Sequence, residues 1–133
     1  MGIDNYAGII IVNNKGQILF VRKLDDYAYA IPWCRIQPGE AIQDCLKKKV
    51  KDLTGLSVEP AFLEPNEHIE EDSHQISFDH LARIDGETHH YVRDDLDYIW
   101  MKPGDFQELP LVPLTRNIIE RYLDRIGFEV DVT

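Results

Sequence analysis

Cysteine is scarce in this chain: Cys34 and Cys45 are the only two among 133 residues. Two thiols make no disulfide framework, and their spacing alone is no zinc signature. They are expected to be free thiols, with Cys45 packed on a helix face. Long apolar runs are also missing, since none approaches the ~20 residues that a membrane-spanning helix requires. The N-terminal "MGIDNYAGIIIV" lacks the basic start and small-residue cleavage site of a secretory signal. These absences point to a cytoplasmic protein with no membrane partner. Positive charge is in deficit, with 14 Lys and Arg against 24 Asp and Glu and a formal net charge of −10. Without a basic face the chain is not expected to track a nucleic-acid backbone. A small phosphorylated ligand in a local basic pocket is still compatible with that balance.

What is present fits one domain spanning residues 1–133, with 44% hydrophobic and 29% charged residues. "YAGIIIV" (Tyr6–Val12) and "QILFVRK" (Gln17–Lys23) are β-rich and flank the turn "NNKG", which reads as a hairpin. "DDYAYAIPW" is a connection with a short extended piece, and "RIQPGE" is a turn. "SVEPAFLE" (Ser57–Glu64) opens a further strand region, and the acidic "EPNEHIEEDSH" (Glu64–His74) reads as a solvated loop. From His74 to Asp85 the pattern alternates, with Ile76, Phe78, His80, Ala82 and Ile84 facing one way. "LDYIWM" (Leu96–Met101) is another strand. "PLTRNIIERYLDRIG" is a helix with the stripe Ile118, Ile119, Tyr122, Leu123 and Ile126.

The informative segment is "IPWCRIQPGEAIQDCLKKKVKDLTGL". Ala41–Thr54 reads as a helix, with Ile42, Cys45, Leu46, Val50 and Leu53 on one arc and Gly55 as its C-terminal stop. The four lysines of "KKKVK" do not form one patch. Lys47, Lys48 and Lys51 fall on the outer side, whereas Lys49 falls inside the apolar arc. An inward ammonium needs a partner, because burying an unpaired charge is very costly. Asp52, three residues on, is within helical reach.

The order of elements and this segment together resemble the Nudix hydrolase superfamily over nearly the whole chain. The family motif G-x5-E-x7-R-E-U-x-E-E-x-G-U, with U a bulky aliphatic, falls on Cys34 to Leu56. Glu40, Val50, Gly55 and Leu56 match it, while Lys48 stands for the arginine and Asp52 for a glutamate. Cys34 replaces the first glycine, and Lys49 and Leu53 replace two glutamates. The resemblance implies a Nudix-like α/β/α sandwich, a mixed sheet flanked by helices. It also implies a site in which helix carboxylates hold magnesium or manganese to polarise a diphosphate and activate water.

The replacements change what that site is expected to do. Glu40, Lys49, Asp52 and Leu53 are vestigial positions rather than assigned catalytic residues. Asp52 and Glu40 are the metal ligands only if a metal is bound. No cofactor is expected, except Mg or Mn if hydrolysis survives. Lys49, Trp33 and Tyr27 are the ligand-binding candidates: Lys49 to meet a phosphate as a point charge, the aromatics to stack on a base. The plainer alternatives are a salt-bridge cluster of Lys49 with Asp52 and with Glu40, which the resemblance places nearby, an extra core residue at Leu53, and aromatics that cap the sheet.

Other groups carry less. His80 reads as a core histidine, and His89 and His90 point to opposite sides of any strand. His68 and His74 with Glu70, Glu71 and Asp72 could meet a cation, but a solvated loop is the plainer account. The leading expectation is a Nudix-superfamily domain that is not an efficient hydrolase and binds a nucleotide-like or phosphorylated ligand or a protein partner. The alternative is a Nudix pyrophosphohydrolase of nucleoside diphosphate derivatives with an atypical metal site, fed by carboxylates from Glu64 to Asp72. Whether a protein partner or a second copy is involved is left open by the sequence.

Overall fold

A computed structural model describes residues 2–85 and 93–127 of the chain. Strands β1 (Asp4–Val12), β2 (Ile18–Lys23) and β3 (Trp33–Arg35) precede helix α1 (Ile42–Thr54). Strands β4 (Ala61–Glu70), β5 (Ser73–Arg83) and β6 (Leu96–Met101) follow, then a short 3-10 turn at Phe106–Glu108 and helix α2 (Pro113–Arg125). Five strands lie in the order β4-β5-β1-β2-β6, and β3 pairs with β1 off that path. The β1–β5 pairing is parallel, with Gly8 beside Asp79 and Tyr6 beside Ser77, while the other strand pairs are antiparallel. This is the expected mixed sheet between helices.

Alternation along β1 feeds two cores. Ala7, Ile9 and Ile11 point to the face covered by α1, where they pack with Leu46, Val50 and Leu53. Ile10 and Val12 point to the opposite face and pack with Phe20, Ile119 and Leu123 under α2. Both helices follow their expected stripes, except that Ile126 is exposed. Gly55 ends α1 at φ 74°, where its amide bonds the Lys51 carbonyl. Only glycine takes that left-handed backbone without strain.

Two expectations are corrected. The acidic stretch from Glu64 to His74 is not a loop: it forms most of β4, a two-residue turn and the start of β5. As an edge strand, β4 tolerates Pro65 and a row of charges, which disguise it in the sequence. Its tip is tied by His74 to Glu67 at 2.6 Å and His68 to Glu70 at 3.1 Å. Nor are the cysteines free thiols, because Cys34 on β3 and Cys45 on α1 are joined as a disulfide, their Cα atoms 6.5 Å apart. Packing of β3 against the first turns of α1 brings them together. His89 and His90 lie outside the described residues.

Candidate functional site

A cleft of about 460 Å³ opens between the C-terminal half of α1 and the N-terminal turn of α2. That volume falls in the range of small-molecule pockets. One wall carries Lys49 and Leu53 from α1 with Leu96 from β6, and Arg22 and Lys23 of β2 add cations at the same wall. The floor is the α2-side face of the sheet, with Tyr6, Gly8, Trp33, Gln75 and Ser77. Val112, Leu114, Thr115 and Ile118 close it from α2. The entry of α2 is fixed by Pro113 in its first turn and by the Ile31 amide, which donates to Thr115 Oγ1 at 3.4 Å.

The inward direction read for Lys49 holds, since it is half-buried and lines the cleft. The expected pairing with Asp52 or Glu40 is not made. Asp52 Oδ2 accepts from Arg93 Nη1 at 2.9 Å, and Glu40 Oε2 accepts from Lys48 Nζ at 2.8 Å. Asp52 is largely exposed, and among the described residues Lys49 has no carboxylate partner. Its half-buried position in the open cleft lets the ammonium reach water without either carboxylate. Lys51 Nζ donates to the Gly55 carbonyl at 3.0 Å and Lys47 reaches Glu59 at 3.4 Å, which agrees with the outward placement of both.

Leu53 is buried in the α1-side core and also forms part of the cleft wall. Its carbonyl accepts the Tyr98 hydroxyl, which ties β6 to the end of α1. Trp33 lines the cleft with its ring edge-on to Tyr6, centroids 5.1 Å apart. Tyr27 does not line the cleft and is 83% exposed, because it sits at the outer bend of the β2–β3 connection.

Hard divalent cations need several clustered oxygen donors. Among the described residues no such cluster forms. An ammonium and an aliphatic side chain stand at two of the positions where the resemblance places glutamates. The remaining helix carboxylate is neutralised by Arg93, and Glu40 by Lys48. Among the described residues no three His, Cys, Asp or Glu side chains come together in a metal-holding group. Glu67 and Glu70, offered as outside donors, are engaged by His74 and His68.

Sequence reasoning missed a buried polar row, of which Ser77 lines the cleft. Asp79, Ser77 and Asn66 are 3%, 1% and 1% exposed, on adjacent strands of the α2-side face. Ser77 Oγ donates to Asp79 Oδ1 at 2.5 Å. Burial pushes the Asp79 carboxyl up from 3.8 to about 7, against the opposing pull of the Ser77 hydrogen bond. Glu64 adds to the rise and Arg121 offsets part of it. His80, on the other face of β5, is the core residue expected. Its Nδ1 meets the Phe78 carbonyl at 2.8 Å, and burial lowers its pKa.

A mixed sheet with a helix on each face, and a cleft running from the loop-helix segment to the last helix, defines a known class. The NUDIX domain matches residues 3–122, and the chain belongs to that family. Solved structures agree on the fold. A MutT NUDIX hydrolase from Burkholderia pseudomallei superposes with a TM-score of 0.74 at 19% identity, covering 90% of this chain and 98% of that one. A MutT protein from Methanosarcina mazei Go1 gives 0.76 at 14% identity, covering 96% of each. In sequence, the RNA pyrophosphohydrolase of Pseudomonas fluorescens is 33% identical over 58 residues, 44% of this chain. The matched stretch spans only 36% of that relative's length.

Proposed function

We propose that the cleft binds a nucleotide-like, phosphorylated small molecule, and that Lys49 supplies to its phosphate the positive charge that a metal ion supplies in the wider family. Family membership supports the ligand class. The placement of Lys49, half-buried in the cleft wall with no carboxylate partner among the described residues, is the observation that carries the role. An ammonium is a point charge with three donors, suited to phosphate oxygens. Arg22 and Lys23 extend the same wall, although Arg22 is already held by Asp97. Trp33 offers an aromatic face to a base. On this account the chain is not an efficient metal-dependent hydrolase, a reading supported by the lack of a cluster of oxygen ligands among the described residues.

Family membership and the named activity of the Pseudomonas relatives favour a second reading, a pyrophosphohydrolase with an atypical metal site. The two readings share a ligand class and divide at turnover. A screen of ADP-ribose, dinucleoside polyphosphates and nucleoside triphosphates with Mg²⁺ and Mn²⁺ separates them. The binding reading expects affinity without turnover. Turnover in the ordinary range of about 1–10³ s⁻¹, abolished by Asp52→Ala, overturns it in favour of the enzyme.

A further inference from the structure

Ser77 is the one member of the buried polar row that both lines the cleft and touches Asp79. Its hydroxyl has one proton and two lone pairs, so what it shows the cleft depends on where that proton points. While Asp79 is ionised, the Ser77 O–H donates to Oδ1 and only lone pairs are left for a ligand. While Asp79 is protonated, its own O–H donates to Ser77 Oγ, and the serine proton is free to point into the cleft. We propose that Ser77 is a specificity-determining residue of the cleft, offering a ligand an acceptor in the first state and a donor in the second. The proposal rests on the reading of the cleft as a nucleotide-type site and adds the residue that chooses among bases.

Two further observations support a ligand at this point. Gly8 lies beside the pair on β1: a Cβ there would stand 3.2 Å from Ile31 Cδ1, 3.4 Å from Ser77 Oγ and 3.6 Å from Asp79 Oδ1. A larger residue would crowd Ile31, which lines the cleft together with Ser77, so glycine preserves the shape of the cleft at the pair. Asn66, directly across from Ser77 on β4, has neither side-chain amide atom hydrogen-bonded and is 1% exposed. Buried amides are rarely left unpaired, so spare hydrogen-bonding capacity lies next to Ser77, although Asn66 itself does not line the cleft.

The groups around Asp79 can be named element by element. β4 contributes Glu64, which favours the protonated form, and α2 contributes Arg121, which favours the ionised form. β1 contributes Tyr6 and Gly8, aligned with Ser77 and Asp79. Lys49 faces the same cleft from α1. Burial outweighs these, and with the carboxyl poised at about 7 both states are populated near neutral pH.

The test measures the affinities of ADP-ribose and GDP-mannose by calorimetric titration between about pH 5.5 and 8.5. These diphosphate diesters lack the terminal phosphate ionisation near 6 that would confound simpler nucleotides. A reversed hydrogen bond at a buried contact is expected to move the ratio of the two affinities by about fivefold or more across the range. The midpoint should lie near 7, and Ser77→Ala and Asp79→Asn should each make the ratio independent of pH. Melting curves establish that both variants fold, and Ser77→Ala decides alone if the other does not. A flat ratio in the parent protein, or a slope surviving in Ser77→Ala, overturns the assignment. If neither probe binds at any pH, the nucleotide reading of the cleft fails first and this one falls with it.

Discussion

Arg93 donates from Nη1 to Asp52 Oδ2 at 2.9 Å, joining residues 41 positions apart. The same guanidinium donates to Asp95 through Nε at 3.0 Å and Nη2 at 2.8 Å. Asp52 is the last carboxylate of the helix motif, and a fixed organic cation now meets it. With Lys48 on Glu40, the acidic remnants of the site are neutralised by side chains, while Lys49 stays available to the cleft.

Lys49→Met is therefore expected to separate binding from stability. A charge-assisted hydrogen bond to phosphate contributes about 1.5–3 kcal/mol, so affinity for ADP-ribose should fall about tenfold to hundredfold. The melting temperature should change little, since no ion pair within the described residues is lost. Calorimetry and a thermal melt of the same sample check both halves.

Asp79 makes folding sensitive to pH in the direction opposite to an ordinary salt-bridged carboxylate. Its folded pKa of about 7 exceeds the ordinary 3.8, so the folded state holds the proton more tightly. This contribution is most favourable below about pH 4, is lost as pH rises towards 7, and is constant above. Asp79→Asn, which cannot ionise, should gain stability relative to the parent across that window, by a few kcal/mol at most. Urea unfolding of both proteins at pH 5 and pH 8 reads the difference, and an equal gap at the two pH values would contradict it.

Reduction should also be visible. The Cys34–Cys45 bond closes a short loop around Glu40, and a loop of that size contributes about 3 kcal/mol in the chain-entropy account. Dithiothreitol, or Cys45→Ser, should lower the unfolding midpoint accordingly. No response to reductant would mean that the two thiols are free in solution.

The legible parts of the fold were those with a clean period. The stripes of α1 and α2 and the hairpin runs of β1 and β2 each bury a face that the sequence displays. The row holding Ser77 and Asp79 was not legible for a physical reason. A sheet covered by helices on both sides buries both rows of a strand. Alternation along β5 therefore marked Ile76, Phe78 and His80 as inward without showing that Ser77 and Asp79 are buried as well. The acidic β4 was hidden by its edge position. Lys49 could be placed inward from the wheel, but its lack of a carboxylate partner among the described residues depends on Arg93 and Lys48. Those two side chains reach Asp52 and Glu40 only in three dimensions, and the disulfide depends likewise on β3 lying against α1.

The most direct test of the central claim is a titration of ADP-ribose into the parent protein and Lys49→Met in EDTA and again in Mn²⁺, with product analysis after each run. The account predicts binding by the parent that is the same in EDTA and Mn²⁺, intact ligand throughout, and clear weakening in Lys49→Met. Binding that appears only with Mn²⁺, accompanied by cleaved ligand and unaffected by Lys49→Met, would contradict it.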